Sequence, residues 1–94
     1  MDWKITQNGT ILKEGYPCDV REHLETMVEE ETGLFLSMQE DEEEGFIYLH
    51  SEYAEDLTDE EVEKVSNLGI SEDYDETTIQ ALEKLLNVKI DTPV

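Results

Sequence analysis

Cations are scarce in this sequence. Six Lys and Arg stand against 26 Asp and Glu, for a formal net charge of −20. A chain so anionic is repelled by nucleic acid phosphates and by anionic membrane surfaces, so direct binding to either is not expected. Cysteine is almost as rare: Cys18 stands alone, which excludes an internal disulfide and the disulfide-stapled class of small secreted domains. No apolar run approaches the roughly 20 residues that a membrane-spanning helix needs. The opening Met1-Asp2-Trp3-Lys4 has neither the basic nor the apolar region of a secretion signal. The expected location is the cytoplasm, that of a host cell if the gene is carried by a phage. In that setting Asn8-Gly9-Thr10 reads as a turn, not as a glycosylation site.

Catalytic signatures are missing too. The chain has no Gly-rich phosphate loop, no Ser nucleophile motif and no Cys/His metal spacing. His23 and His50 lie far apart in sequence and read as structural. Glu40, Glu42 and Glu44, followed by Gly45 and Ile47, come near the register of a calcium loop. The twelfth position is Ser51 where that loop requires a bidentate Glu, so no metal is expected. Neither an enzyme nor a cofactor-binding protein is expected.

What the chain does have is an ordinary apolar pattern. Its 94 residues fit one domain, 1–94. Hydrophobic residues make up 37% of it, more than a disordered acidic tail carries. Asn8-Gly9 is the preferred pair for a type I′ turn, so Trp3 to Gly15 reads as a β-hairpin with Ile5 across from Leu12 and Trp3 across from Glu14. Val20, Leu24, Met27 and Val28 form a helical stripe, with Asp19 and Glu22 placed for a capping box and Gly33 for the C-cap. The spacing predicts a helix over about 20–32. Leu34, Leu36 and Met38 alternate, and Phe46 to His50 is a second short apolar run. These predict a second hairpin with Glu40 to Gly45 at its tip. Thr58 and Glu61 form a capping box, Leu57 and Val62 a hydrophobic staple, and Gly69 a stop, so a second helix follows. A third, capped by Asp75, runs from about Glu76 to Asn87, and Lys89-Ile90 offers a short terminal strand. The order ββ-α-ββ-α-α implies an α+β domain: a mostly antiparallel sheet from two hairpins, covered by three helices.

The acids fall on helix faces and loops. Glu22, Glu25 and Glu29 lie on the first helix away from its apolar stripe. Glu40, Asp41, Glu42, Glu43 and Glu44 form the hairpin tip. Glu52, Glu55, Asp56, Asp59, Glu60 and Glu63 run into and along the second helix, and Asp73 and Asp75 precede the third. Helix residues four apart are about 6 Å apart along the axis, and alternate strand residues about 6.6 Å, spacings that suit a ladder of carboxylates standing in for phosphates. A compact chain of this length has a radius of gyration of ~12 Å, hence a diameter of about 32 Å. Duplex DNA of that length carries about 19 charges, which matches the total here. Solubility alone needs a net charge of only about 2–8.

In size and charge the chain resembles the antirestriction and anti-CRISPR proteins of phages and mobile elements. The resemblance is one of composition over the whole chain and rests on no motif. It implies a DNA mimic that inhibits a basic nucleic-acid-binding protein, such as a nuclease, restriction enzyme, CRISPR effector or transcription factor. An acidic interaction module, or an immunity protein for a basic toxin, meets the same charge logic without mimicry. Halophilic adaptation is a third explanation, favoured by the low Lys content. Self-repulsion disfavours association through the acidic face, so the chain is expected to be a monomer, or a dimer through its sheet or Trp3 edge.

Overall fold

A computed structural model describes residues 2–94. Strands β1 (Trp3–Gln7) and β2 (Thr10–Gly15) lead into helix α1 (Pro17–Thr32). Strands β3 (Met38–Asp41) and β4 (Phe46–Leu49) follow, then helices α2 (Ser51–Ala54), α3 (Asp59–Leu68) and α4 (Thr77–Leu86), and last strand β5 (Lys89–Asp91). The fold is α+β. Its strands form two separate antiparallel sheets, β2-β1-β5 and β3-β4. A one-turn helix, α2, joins the three expected from sequence; its N-terminus is capped by the His50 ring, which accepts the Glu52 N–H at 3.2 Å.

The first hairpin turns at Asn8 and Gly9, whose φ values of 51° and 82° are those of a type I′ turn. Its register differs from simple alternation. Thr6 pairs with Ile11 and Ile5 with Lys13, leaving Leu12 as the extra residue of a bulge. Past the bulge Trp3 faces Gly15 instead of Glu14, and Lys4 faces Glu14, an opposite-charge pair.

Helix α1 begins at Pro17, three residues before the expected start. Proline at the first helical position has its φ already set, so Asp19 falls inside the first turn and caps nothing. The cap position is Tyr16, which makes no side-chain bond there. At the other end Gly33 adopts φ 76° and donates its N–H to Glu29 O at 2.8 Å. Residues 34–37 belong to no strand, although Leu34 and Leu36 are buried, and pairing starts only at Met38. Alternation records which face is buried; pairing ends with the partner, and β4 stops at Leu49 because His50 opens α2. The capping box of α3 is present as expected, with Thr58 and Glu61 each bonding the other's backbone N–H. Glu76 directly precedes α4 and makes no side-chain bond to it; Asp75, one residue further back, accepts the Thr77 N–H at 2.8 Å and so satisfies the first N–H of the helix.

Every major element reaches one core. Trp3 and Ile5 of β1, Leu24 of α1, Leu36, Ile47 of β4 and Leu82 of α4 are all fully buried. Trp3 is therefore interior and forms no edge for a dimer. Helices α1 and α4 pack side by side, α1 across β1, β2 and β3 and α4 against β4 and β5. The buried Thr78 hydroxyl accepts the Ser71 N–H and donates to Ser71 O, tying the loop after α3 onto α4. The tip of the second hairpin closes on the chain end: Gly45 O accepts the Thr92 hydroxyl at 2.9 Å, and a Cβ at Gly45 would stand 2.7 Å from Thr92 O.

Candidate acidic interaction surface

The charge divides unevenly along the chain. Only Asp2, Glu14, Glu83 and Asp91 lie outside residues 17–76, and Lys4, Lys13, Lys84 and Lys89 balance them. The other 22 of the 26 acids meet just Arg21 and Lys64, so residues 17–76 carry the whole −20. Topology turns this count into geometry. The neutral segments are distant in sequence, but β5 pairs with β1 in the sheet β2-β1-β5, and α4 packs against β5 as well as against β4 and α1. On that sheet Lys4 faces both Glu14 and Asp91 across the strands, and Lys89 Nζ lies 3.7 Å from Asp91. The acids of residues 17–76 sit on α1, on the second hairpin, along α2 and α3, and in the loops that join them.

Helix α1 presents Glu22, Glu29, Glu30 and Glu31 to solvent. Glu25, the middle rung of the expected ladder, turns inward. Its two oxygens accept Arg21 Nη1 at 2.8 Å and the Met38 N–H at 2.6 Å, and its side chain is 19% exposed. Arg21 Nε also reaches Glu40 at 2.9 Å, and the Glu40 side chain is 17% exposed. Burial works against the charge on Arg21, but hydrogen bonds and attraction from Glu40 and Glu25 outweigh it and hold its pKa above the ordinary value. The trio fastens β3 to α1, so Glu25 and Glu40 are engaged within the fold.

At the hairpin tip Asp41 is engaged as well, accepting the Tyr74 hydroxyl and the Glu44 N–H. Tyr74 packs edge-on to Phe46, with ring centroids 5.3 Å apart, and lies 5.4 Å from Tyr48. Glu42, Glu43 and Glu44 remain exposed. Among the described residues no three His, Cys, Asp or Glu side chains converge as a metal site.

The segment from α2 through α3 is the densest. Glu52, Glu55, Asp56, Asp59, Glu60 and Glu63 are all exposed. Asp59, Glu60 and Glu61 occupy the first turn of α3, where the helix dipole favours anions. Burial pushes the Tyr53 phenol up, and Glu61 and Asp56 add to it. Asp73 and Asp75 are exposed in the following loop. Hydrogen bonds from Thr77 hold Asp75 below the ordinary carboxylate range.

The structure adds two features to the sequence-derived set. Glu30 and Glu31 join Glu29, already in that set, in the last turn of α1, which contains no basic residue. Anions there oppose the dipole and destabilise the helix. The signal was in plain sight, as three Glu just before the Thr32-Gly33 stop. The second feature is an apolar groove of about 360 Å³ beside α3, lined by Leu57, Val62, Val65 and Ile70 and bordered by Glu72 and Asp73. No known family, curated protein or solved structure matches this chain. Among the described residues no helix is long and apolar enough to cross a membrane.

Proposed function

We propose that the domain inhibits a basic nucleic-acid-binding protein by covering its binding surface as a DNA mimic. The single observation that carries this is the division of charge: −20 on residues 17–76 and zero on the rest. An adaptation to brine acts on every exposed surface, whereas here the sheet β2-β1-β5 keeps a balanced one. The longest dimension of the molecule is 36 Å, and duplex DNA of that length carries about 21 charges. Acids in the last turn of α1 cost stability, so helix stabilisation does not explain them. Glu22 and Glu29 of α1, Glu42–Glu44 of the tip, and Glu52, Glu55, Asp56, Asp59, Glu60, Glu63 and Asp73 are the contact residues of this proposal. Its partner class is a nuclease, restriction enzyme, CRISPR effector or transcription factor.

A second reading is an acidic module, of the immunity-protein kind, that binds a basic partner away from any nucleic acid site. The apolar groove beside α3 favours it, because a phosphate mimic has no use for one. One experiment separates the two. A partner is captured from host lysate at low salt, and its affinity for labelled duplex DNA is measured with and without the domain. Mimicry requires competition, and a capture that weakens steeply with salt. A partner that binds DNA normally while complexed sinks the mimic and leaves the module.

A further inference from the structure

Helix α3 is the least embedded of the three long helices. It buries only Val65, whereas α1 and α4 each bury four residues. Val62, on the same apolar stripe, is left 46% exposed. It faces a groove whose floor and walls include Leu49, Leu57, Val65 and Ile70 and whose border carries Glu72 and Asp73. The volume of about 360 Å³ lies at the low end for ligand sites. An aliphatic interior rimmed by carboxylates complements one kind of group, an apolar side chain flanked by cations. A second copy of this chain would bring its own acidic stretch against the rim, and an anionic small molecule meets the same repulsion.

We propose that this groove is the specificity pocket for the protein partner, receiving an aliphatic side chain of a basic amphipathic segment while that segment's Lys or Arg residues meet Glu72 and Asp73. The inference rests on the reading that the partner is a basic protein, and it adds a non-electrostatic contact to it. Charge alone attracts any polycation; a shaped apolar pocket chooses among them. Presentation from one helical turn, with anchors four residues apart, is the matching geometry.

The test uses the full chain and two synthetic helical peptides of equal positive charge. One carries Leu at positions i and i+4 among Lys and Ala; in the other both Leu are Ser. In NMR titrations the Leu peptide is expected to bind about tenfold more tightly, with the largest amide shifts at Val62, Ser66, Ile70 and Asp73. Val62→Ser, at a half-exposed position and with its fold checked by circular dichroism, should bring the Leu peptide down to the affinity of the Ser peptide without changing the salt dependence. Equal affinities for the two peptides overturn the pocket and leave charge-driven binding standing. Failure of both peptides to bind overturns the pocket and the cationic-partner reading together. Groove shifts that grow with protein concentration alone, with a dimer in sedimentation, assign the groove to a second copy and overturn the proposal.

Discussion

Two regions of this molecule share an interior and differ in surface. The residues outside 17–76, which hold β1, β2, β5 and α4, are together electrically neutral, and residues 17–76 carry −20. Yet Trp3, Ile5 and Leu82 of the first are as completely buried as Leu24, Leu36 and Ile47 of the second. Interior rules therefore apply alike to both: apolar stripes with the right period, caps, and bonded polar groups. Surface rules do not. The neutral unit shows that this chain makes an ordinary mixed surface where nothing else is asked of it. The acidity of the other region is then a local property, and an explanation of it must also be local.

The comparison presumes that the two regions fold as one body, and core truncation tests that most severely. Leu24→Ala in the acidic region and Leu82→Ala in the neutral one remove side chains with no exposure. Each should cost about 2–5 kcal/mol. Urea unfolding followed by circular dichroism and by Trp3 fluorescence should give one coincident transition, displaced in both variants. If Leu24→Ala leaves the Trp3 transition in place, the regions are separate folding units and the shared interior is only apparent.

A smaller effect sharpens the acidic side. It contains two cations with opposite roles. Arg21 bonds Glu25 and Glu40, whereas the exposed Lys64 makes no ion pair among the described residues. Arg21→Ala strands two mostly covered carboxylates and should cost about 2 kcal/mol. Lys64→Ala, which touches no such feature, should stay within about 0.5 kcal/mol. Equal losses in urea titrations would mean that bulk charge, not the fastening of β3 to α1, sets the cost.

Much of this is legible in the sequence wherever the determinant is local. Asn8-Gly9 fixes its turn by φ alone, and the Thr58–Glu61 box and Gly69 bound α3 through bonds within one helical turn. The helical stripe Val20-Leu24-Val28 names the buried face of α1. What escaped depends on partners distant in sequence. The bulge at Leu12 is set by the pairing of β1 with β2, and the separation of the strands into two sheets by where α1 and α4 pack. The inward turn of Glu25 needs Met38 and Arg21 together. In sequence Glu25 looks like any other rung between Glu22 and Glu29. The charge division was countable, but only the pairing of β5 with β1 brings the neutral ends into one unit.

Helix ends give a contrast in sign. Glu29, Glu30 and Glu31 lie against the dipole of α1, and Asp59 and Glu60 lie with the dipole of α3. Glu→Gln at the first three positions should stabilise by about 0.3–1 kcal/mol each at low salt, whereas Asp59→Asn and Glu60→Gln should destabilise by similar amounts. Both differences should shrink as the screening length falls to about 3 Å at 1 M salt. Binding of the captured basic partner should weaken in both sets. A stabilised α1 variant that still binds at full strength would remove the functional reason for keeping those three acids.

The finest test concerns the acid at the border. Asp75 belongs by sequence to the charged stretch, but its carboxylate serves the neutral unit by accepting the Thr77 N–H at the start of α4. Hydrogen bonds from the Thr77 side chain and backbone favour the ionised form and hold its pKa below the ordinary 3.8. A carboxylate depressed in the folded state contributes stability above the unfolded value and loses it as pH falls through the folded one. Asp75→Asn retains an oxygen acceptor, and Asn is itself a good cap, but the variant no longer titrates. The wild type should therefore be slightly the more stable at neutral pH. The gap in Tm between the two should close as pH is lowered below ~4, where the carboxyl takes up its proton. A gap that stays constant from pH 7 to the acid limit would show that the carboxylate's charge adds nothing to the cap. Asp75 would then count only toward the charge of residues 17–76.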